Sequence, residues 1–401
     1  MSTGFDVQTF TMLSRAKVPS LSLFIARRWL VLGYLLLLTG LFWLPSGSAY
    51  TKVFYGLIAT PTLFALLITP NRFGHLFREP IVLAFLVFSG WLLLSLSWSG
   101  TDEGLSSLAK RPLYILMLFA GCALIALERR ELLLQTLRVA AGVATVAALV
   151  NLALFIAEPP EDGRLIGTGA LRNPLLTSHV LGMFCTYWMA VWLSRDLRQD
   201  WLPILMVVSL VLALLATGSR TPLMALVLTN LLMLVMAPRR AAYLIGAIAL
   251  ATAVCLTFFP DLLLQRGVSY RPQIWADALR QAQEHLWIGH GYHTRFAFRV
   301  EDLGWDFSDP HNVELAVLLE LGVVGLLLWL VMHGLGLWRC IRQRQDRSFQ
   351  IAFAMVIYGL AAGLTEGSSF ISRPNESWFL IWIPLSLVAA LSISQRALGQ
   401  R

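Results

Sequence analysis

The amino-acid sequence predicts an all-α polytopic membrane protein with about twelve transmembrane helices and one large periplasmic loop that contains an amphipathic helix. Three observations support this: a hydrophobic composition, recurrent apolar runs of membrane-spanning length, and basic residues that fall on alternate loops. Of the 401 residues, 57% are hydrophobic and only 13% are charged. Soluble domains carry about 25% charged residues, so most of this chain must face lipid.

The apolar runs are each roughly 16–22 residues long, which matches the thickness of a bilayer core. They lie at 29–46, 53–69, 80–97, 112–127, 137–157, 175–193, 202–217, 221–236, 241–258, 313–336, 349–365 and 378–394. The predicted organisation is a cytoplasmic N-terminal segment (1–28), nine spans (29–258), a large periplasmic loop (259–312), three spans (313–394) and a cytoplasmic tail (395–401).

The distribution of basic residues predicts which ends of the spans face the cytoplasm. The chain carries 31 Lys and Arg against 23 Asp and Glu, a net charge of +8. Basic residues collect on cytoplasmic loops, and with both termini inside, every short cytoplasmic loop carries at least a pair of arginines. The positive charge is therefore explained by topology, and no nucleic-acid partner is expected.

The loop 259–312 is expected to contain the amphipathic helix. Apolar residues recur there at helical three- and four-residue spacing, at Ile274, Trp275, Ala278, Leu279, Ala282 and Leu286. Pro272 suits the first turn of such a helix, and Gly289 and Gly291 interrupt it. The helix should lie over the bundle or along the membrane surface.

Two arginines, Arg266 and Arg271, flank the start of this helix. A helix N-terminus presents unpaired N–H groups and binds phosphate readily. Guanidinium groups match phosphate oxygens as two-pronged donors, so the pair is a candidate pyrophosphate clamp. The alternative is that both arginines contact lipid headgroups or pair with Asp261 and Asp277.

Arg220 ends the segment Thr217-Gly218-Ser219-Arg220, a tight turn between two apolar runs. An arginine held near membrane depth is energetically expensive and is a candidate functional residue. The alternative is a side chain that extends to the outer headgroups.

His311 lies in Asp309-Pro310-His311-Asn312, at the threshold of the tenth span. Histidine is a suitable general base at neutral pH, although a histidine at a helix start can be purely structural. A metal site built from His285, His290 and His293 is disfavoured, because their spacing matches no zinc pattern.

Four further charged residues are weaker candidates on the same side. Arg172 could contact glycan, and Lys110 and Arg111 could contact the substrate or a headgroup. Glu366 could orient a guanidinium group. For all four, the sequence favours a role as anchors at the membrane interface.

In combination these features resemble the O-antigen ligase family, part of a wider group with O-antigen polymerases and protein O-oligosaccharyltransferases. The resemblance lies in 160–330 and in the order of three motifs around the large outer loop. They are the Thr-Gly-Ser-Arg turn ending at Arg220, the stretch from Arg271 through Ile274-Trp275 to Gly289-His-Gly291, and His311-Asn312 followed by Glu314, Leu318, Glu320, Gly322 and Gly325.

The resemblance implies an inverting glycosyltransferase of lipopolysaccharide biosynthesis in the bacterial inner membrane, with no metal, nucleotide or other cofactor. Its donor would be a polysaccharide on undecaprenyl pyrophosphate and its acceptor lipid A–core, with the site facing the periplasm. Arg220, Arg266 and Arg271 would hold the pyrophosphate, and His311 would accept the proton of the acceptor hydroxyl.

Three alternatives remain open. An O-antigen polymerase would use the same donor and the same arginines. A protein O-oligosaccharyltransferase is disfavoured, because those enzymes carry further C-terminal sequence. A lipid-glycan flippase or transporter is disfavoured, because transporters show repeated halves and polar residues at the membrane midplane.

Overall fold

The structure is a computed structural model that describes residues 20–194, 201–258, 270–300, 306–367 and 369–399. In these ranges the regular elements are helices, because a chain in lipid must satisfy its backbone hydrogen bonds within each segment. They are α1 (Ser20–Phe42), α2 (Gly47–Ile68), α3 (Pro80–Ser95), α4 (Leu105–Ala109), α5 (Arg111–Ala157), α6 (Pro174–Leu193), α7 (Trp201–Thr217), α8 (Arg220–Leu232), α9 (Pro238–Phe258), α10 (Arg271–Glu284), α11 (Val313–Arg342), α12 (Arg347–Gly363), α13 (Ser377–Leu380) and α14 (Trp382–Gly399).

Five helical segments in the described residues are long and apolar enough to cross a membrane. They are Ser20–Phe42, Gly47–Ile68, Leu105–Ala157, Pro174–Leu193 and Val313–Arg342, and the bent pair Pro70–Arg78 and Pro80–Ser95 makes a sixth if it forms one broken span. The all-helical, multi-pass architecture is thus confirmed. The number of twelve spans stays a prediction.

Helix α5 shows how one helical element covers two predicted spans. Its 47 residues include the runs 112–127 and 137–157, and the backbone leaves helical geometry at Arg129 (φ −161°, ψ 100°). The neighbouring Arg130 donates to both carboxylate oxygens of Asp346, at 2.7 and 2.6 Å. The break therefore falls at the paired arginines that the sequence assigns to a loop.

Aromatic side chains of α3, α11 and α14 form part of the bundle core. Trp382 contacts Phe85 and Trp329 edge to face, with ring centroids 5.3 and 5.8 Å apart. All three side chains are buried. This geometry adds to the stabilisation that burial provides.

The amphipathic helix α10 packs outside this core, against the first turns of α11. Ile274, Ala278 and Ala282 are buried in a small cluster with Leu315 and Leu319. The predicted helix and its apolar face are therefore confirmed in their main positions. Two members of the predicted face, Leu279 and Leu286, are exposed.

Two glycines allow the turn after α10 to dock on α11. Gly289 (φ 71°) and Gly322 (φ 68°) have left-handed backbones, and a Cβ on Gly289 would lie 2.4 Å from the Glu320 carbonyl carbon. The helix breaks at Gly322, and the N–H groups of His290 and Gly291 donate to the carbonyls of Leu319 and Glu320, at 2.9 and 2.8 Å. The Gly-His-Gly motif therefore serves a close backbone approach.

Candidate active site

The site forms where the start of α11 meets the end of α12. Asn312 caps α11 by accepting the N–H of Leu315 at 2.8 Å, and its side-chain amide donates to the carbonyl of Leu364 at 2.9 Å. One residue thus fixes both helix ends. This places His311, which immediately precedes Asn312, beside Glu366, which lies three residues beyond the end of α12.

The backbone of His311 is held in an unusual conformation. Its φ of 50° lies in the left-handed region, and its N–H donates to the carboxylate of Asp309 at 2.7 Å. The indole N–H of Trp275 donates to the carbonyl of Pro310 at 2.9 Å, which ties α10 to the same segment. Such strain persists only where the surroundings determine it, and it is common at active sites.

Glu366 bridges His311 and Arg271. Its Oε1 lies 2.8 Å from His311 Nδ1, and its Oε2 accepts from Arg271 Nη2 at 2.6 Å. The carboxylate is 5% exposed, whereas the two partners are each 29% exposed. A carboxylate with both oxygens engaged orients both neighbours.

The pKa shifts of His311 and Glu366 indicate which of the two groups holds the shared proton. The hydrogen bond to Glu366 raises the pKa of His311 and outweighs burial. Burial raises the pKa of Glu366, but the hydrogen bond from His311 and the nearby positive groups lower it overall. An ionised carboxylate can only accept, so Nδ1 carries the proton, and neutral His311 keeps Nε2 as its basic atom.

These residues open into a cavity of about 370 Å³. Its walls are Arg164, Asn173, Leu175, Gly218, Ser219, Arg220, Thr221, Arg271, His311 and Glu366. Helices α8 and α10 begin at Arg220 and Arg271, so two helix N-termini and two guanidinium groups meet here. The cavity therefore suits an anionic group.

Arg164 supports the turn that carries Arg220. Its Nε donates to the carbonyl of Thr217 at 2.9 Å, and its Nη2 donates to the hydroxyl of Ser219 at 3.3 Å. Gly218 completes the turn with a φ of 63°. The cavity thus holds three arginines and one carboxylate.

Arg271 has a hydrogen-bond donor in the cavity that is still available to a ligand. Its Nε is buried and has no hydrogen-bond acceptor among the described residues. A buried donor left unsatisfied costs about 1–3 kcal/mol. An anion that enters the cavity would offer that donor an acceptor.

The structure separates the other candidates of the sequence analysis. Arg172 donates to the carbonyl of Pro45 at 2.6 Å, and Arg111 lines a different cavity. Lys110 precedes α5 and is exposed. Arg266 lies outside the described residues, so its part in the pyrophosphate clamp stays a prediction.

Sequence reasoning gave no role to Arg164 and only a minor one to Glu366. Arg164 is the single basic residue of the outer stretch 158–171. This isolation is the sequence feature that points to a specific role for it. Glu366 follows a span end in Thr365-Glu366-Gly367. The sequence suggested that it could orient a guanidinium group, and its contact with Arg271 agrees with that suggestion.

The fold and the cavity define a class of protein, a multi-pass membrane protein whose polar site combines a histidine–carboxylate pair with arginines. Comparisons with known proteins specify it further. Residues 205–330 match the family model described as O-Antigen ligase. The chain is 42% identical to an O-antigen ligase of Pseudomonas aeruginosa over 383 residues, 94% of each chain.

The chain therefore belongs to the O-antigen ligase family, as the sequence motifs suggested. It is an enzyme of the glycosyltransferase type that acts in lipopolysaccharide biosynthesis. Together with its apolar helices, this identifies a multi-pass protein of the bacterial inner membrane.

Proposed function

We propose that this enzyme transfers O-antigen polysaccharide from undecaprenyl pyrophosphate to the lipid A–core oligosaccharide, with inversion and without metal or nucleotide. The observation that carries the proposal is the Arg271–Glu366–His311 chain in an arginine-lined cavity. This chain places a general base, His311, beside arginines that suit a pyrophosphate. Such a transfer needs both a base for the acceptor and a binding site for the leaving group.

The arginines act on the leaving group. The bond between the anomeric carbon and the pyrophosphate breaks, and the pyrophosphate keeps the electron pair. Arg220 and Arg271, supported by Arg164, stabilise the charge that develops there, and Arg266 is proposed to join them. Because the donor already carries a good leaving group, no nucleotide is consumed.

His311 acts on the acceptor. Its Nε2 takes the proton of the attacking hydroxyl while the oxygen bonds to the anomeric carbon from the face opposite the pyrophosphate. Glu366 holds the ring through Nδ1 and stabilises the imidazolium that forms, as the carboxylate does in a Ser-His-Asp triad. The proton then leaves to water.

The cavity is proposed to open to the periplasm, with both termini in the cytoplasm. The clustering of arginine pairs on the opposite loops supports this orientation through the positive-inside rule. In that arrangement the apolar helices would bind the polyprenyl tail of the donor within the membrane.

The purified protein in liposomes, supplied with undecaprenyl-pyrophosphate-linked glycan, lipid A–core and a chelator, tests the proposal. We expect glycan-modified lipid A, detected by gel shift, without nucleotide. His311→Ala should lower the transfer rate by roughly 10²–10⁴-fold, the usual contribution of a general base.

His285→Ala is the matched control, because His285 is an exposed histidine after α10 and should transfer normally. Equal rates for both histidine variants would remove His311 from the chemistry. A parent protein that joins lipid-linked glycans to each other but not to lipid A–core would be a polymerase. A parent that forms no glycosidic product with either acceptor would contradict the proposed function.

A further inference from the structure

A second cavity, of about 330 Å³, lies next to the candidate active site. Ser308 lines it three positions before His311, and Ser369 lines it three positions after Glu366. Three residues of extended chain span at most about 11 Å. The Cα atoms of Ser308 and His311 therefore lie within that distance of each other, and so do those of Glu366 and Ser369. The volume falls within the range of about 300–1,000 Å³ that is usual for ligand sites.

Arg111 and Glu320 supply polar groups to this second cavity. The guanidinium of Arg111 donates to Glu103 at 2.5 Å and to the hydroxyl of Tyr292 at 3.1 Å. Its Nε is buried and finds no acceptor within the described ranges. Glu320 accepts the backbone N–H of His293 through Oε2 at 2.7 Å, and a carboxylate can accept through both oxygens.

The first cavity is cationic, whereas the two arginines of the second are each paired with a carboxylate. Arg111 is paired with Glu103, and Arg295 lies 2.9 Å from Asp102. Glu320 adds a further carboxylate to the wall. An anion would have to compete with Glu103 and Asp102 for these two arginines. A neutral molecule with several hydroxyl groups can donate to Glu320 and accept from Arg111.

The remaining wall also fits a sugar. Thr294, Ser308 and Ser369 contribute hydroxyl groups, and the half-buried ring of Phe296 contributes an apolar surface. Mostly apolar or aromatic walls with a few placed polar groups are typical of small-molecule sites. The mixture suits a pyranose, which presents hydroxyl groups at its edge and C–H groups on its faces.

We propose that this second cavity binds a neutral sugar residue of the acceptor, next to the sugar whose hydroxyl reacts. The assignment rests on the proposed function. In an in-line displacement the base lies on the acceptor's side of the anomeric carbon, and the segment from His311 to Ser308 leads from the base into the second cavity. The arginines of the first cavity occupy the leaving-group side.

Two variants test this subsite in steady-state transfer assays with each substrate varied in turn. Ser369→Phe fills the cavity, and Glu320→Gln keeps the shape and the bond to His293 while an amide NH2 group replaces one carboxyl oxygen. We expect the KM for lipid A–core to rise at least tenfold in Ser369→Phe and about threefold to tenfold in Glu320→Gln, as for lost ground-state binding. The kcat and the KM for the donor should stay within about twofold of the parent.

Ser106→Phe is the matched control, because Ser106 is an exposed serine of α4. A binding measurement complements the kinetics: core oligosaccharide freed of lipid A is titrated into the donor-free protein by calorimetry. We expect heat of binding with the parent and Ser106→Phe, and a loss of at least tenfold in affinity with Ser369→Phe.

The outcomes separate the subsite from the proposed function. Variants that match Ser106→Phe in both assays, in a parent that transfers glycan, would overturn the subsite alone. A rise in the KM for the donor instead of the acceptor would assign the cavity to the donor glycan and overturn the acceptor assignment. Oligosaccharide binding that Ser369→Phe abolishes, in a parent that transfers nothing, would keep the subsite and contradict the proposed function.

Discussion

The two ends of α12 carry the same kind of ionic contact and use it differently. At one end Asp346 caps the helix and receives two hydrogen bonds from Arg130. Just beyond the other end, Glu366 divides its two oxygens between Arg271 and His311. The helix has 17 residues, so the two sites lie roughly 25 Å apart.

The two sites differ in which neighbouring groups can still bind a ligand or exchange a proton after each carboxylate is paired. Asp346 is satisfied by one arginine and by the N–H of Ser348, and this contact only fixes α12 against the break in α5. Further ion pairs at this end, of Glu79 with Arg396 and of Glu128 with Arg27 and Arg72, are of the same kind.

At the cavity end, a titratable imidazole and an unsatisfied guanidinium N–H remain beside the carboxylate. A buried carboxylate–arginine pair therefore does not by itself indicate a catalytic site. A third group that can exchange a proton, together with space for a ligand, distinguishes a candidate site from a structural contact.

We expect Arg271→Lys to reduce transfer more than any other substitution that distinguishes the two ends of α12. The lysine keeps a positive charge beside Glu366, but a single ammonium cannot replace the guanidinium fork on a phosphate. We expect the transfer rate to fall by roughly 10²–10³-fold, as for loss of one donor to a developing charge, with little change in Tm. Transfer assays and thermal unfolding of the same preparation measure both.

Arg130→Lys is the control for that substitution at the opposite end of α12. It should leave transfer unchanged. If both lysine variants lose transfer equally, the two ends of α12 do not differ in function, and Arg271 has no special part in binding the donor.

Glu366→Gln should have the next largest effect. The amide no longer requires Nδ1 of His311 to carry the proton, so the orientation and tautomer of the ring are lost, and we expect the maximal rate to fall on the order of 10²-fold. The pH dependence should change as well. Deprotonated His311 is the base, so activity rises with pH through its pKa and is lost below it.

Because Glu366 raises the pKa of His311, the acidic limb of the parent's pH–rate profile should lie above the usual histidine value of about 6.5. In Glu366→Gln the limb should move to lower pH. The check is a profile of kcat/KM for both proteins, normalised to each maximum. A limb that does not move would show that Glu366 does not control the proton affinity of the base.

Arg130→Ala should have the smallest effect on transfer and a clear effect on stability. It removes the partner of a partly buried carboxylate at the N-terminal cap of α12, which we expect to cost about 1–3 kcal/mol. Tm should fall, while kcat and both KM values stay within about twofold. A large loss of kcat in protein that is still folded would mean that the two ends of α12 are coupled.

Local sequence accounts for the positions of most helices. Apolar runs are local, so the predicted starts of most spans agree with the helices to within a few residues. Helices α1 and α2 differ more, since they begin at Ser20 and Gly47 and not at the predicted 29 and 53. Helix α1 extends through Arg27 and Arg28, because a helix continues past its apolar run where its charged residues reach the interface or pair with Glu128. The position of Pro272 in the first turn of α10 also follows from local chemistry.

Which of these polar residues meet is set by the packing of the helices. His311 and Glu366 are 55 positions apart, and their contact depends on the Asn312–Leu364 hydrogen bond that holds two helix ends level. The same packing places Arg172 against the carbonyl of Pro45 and Arg111 in the wall of the second cavity. A shift of one residue along a helix moves a side chain by about 1.5 Å and turns it by about 100°, so the partners of a polar side chain are set by helix packing and cannot be read from its sequence position.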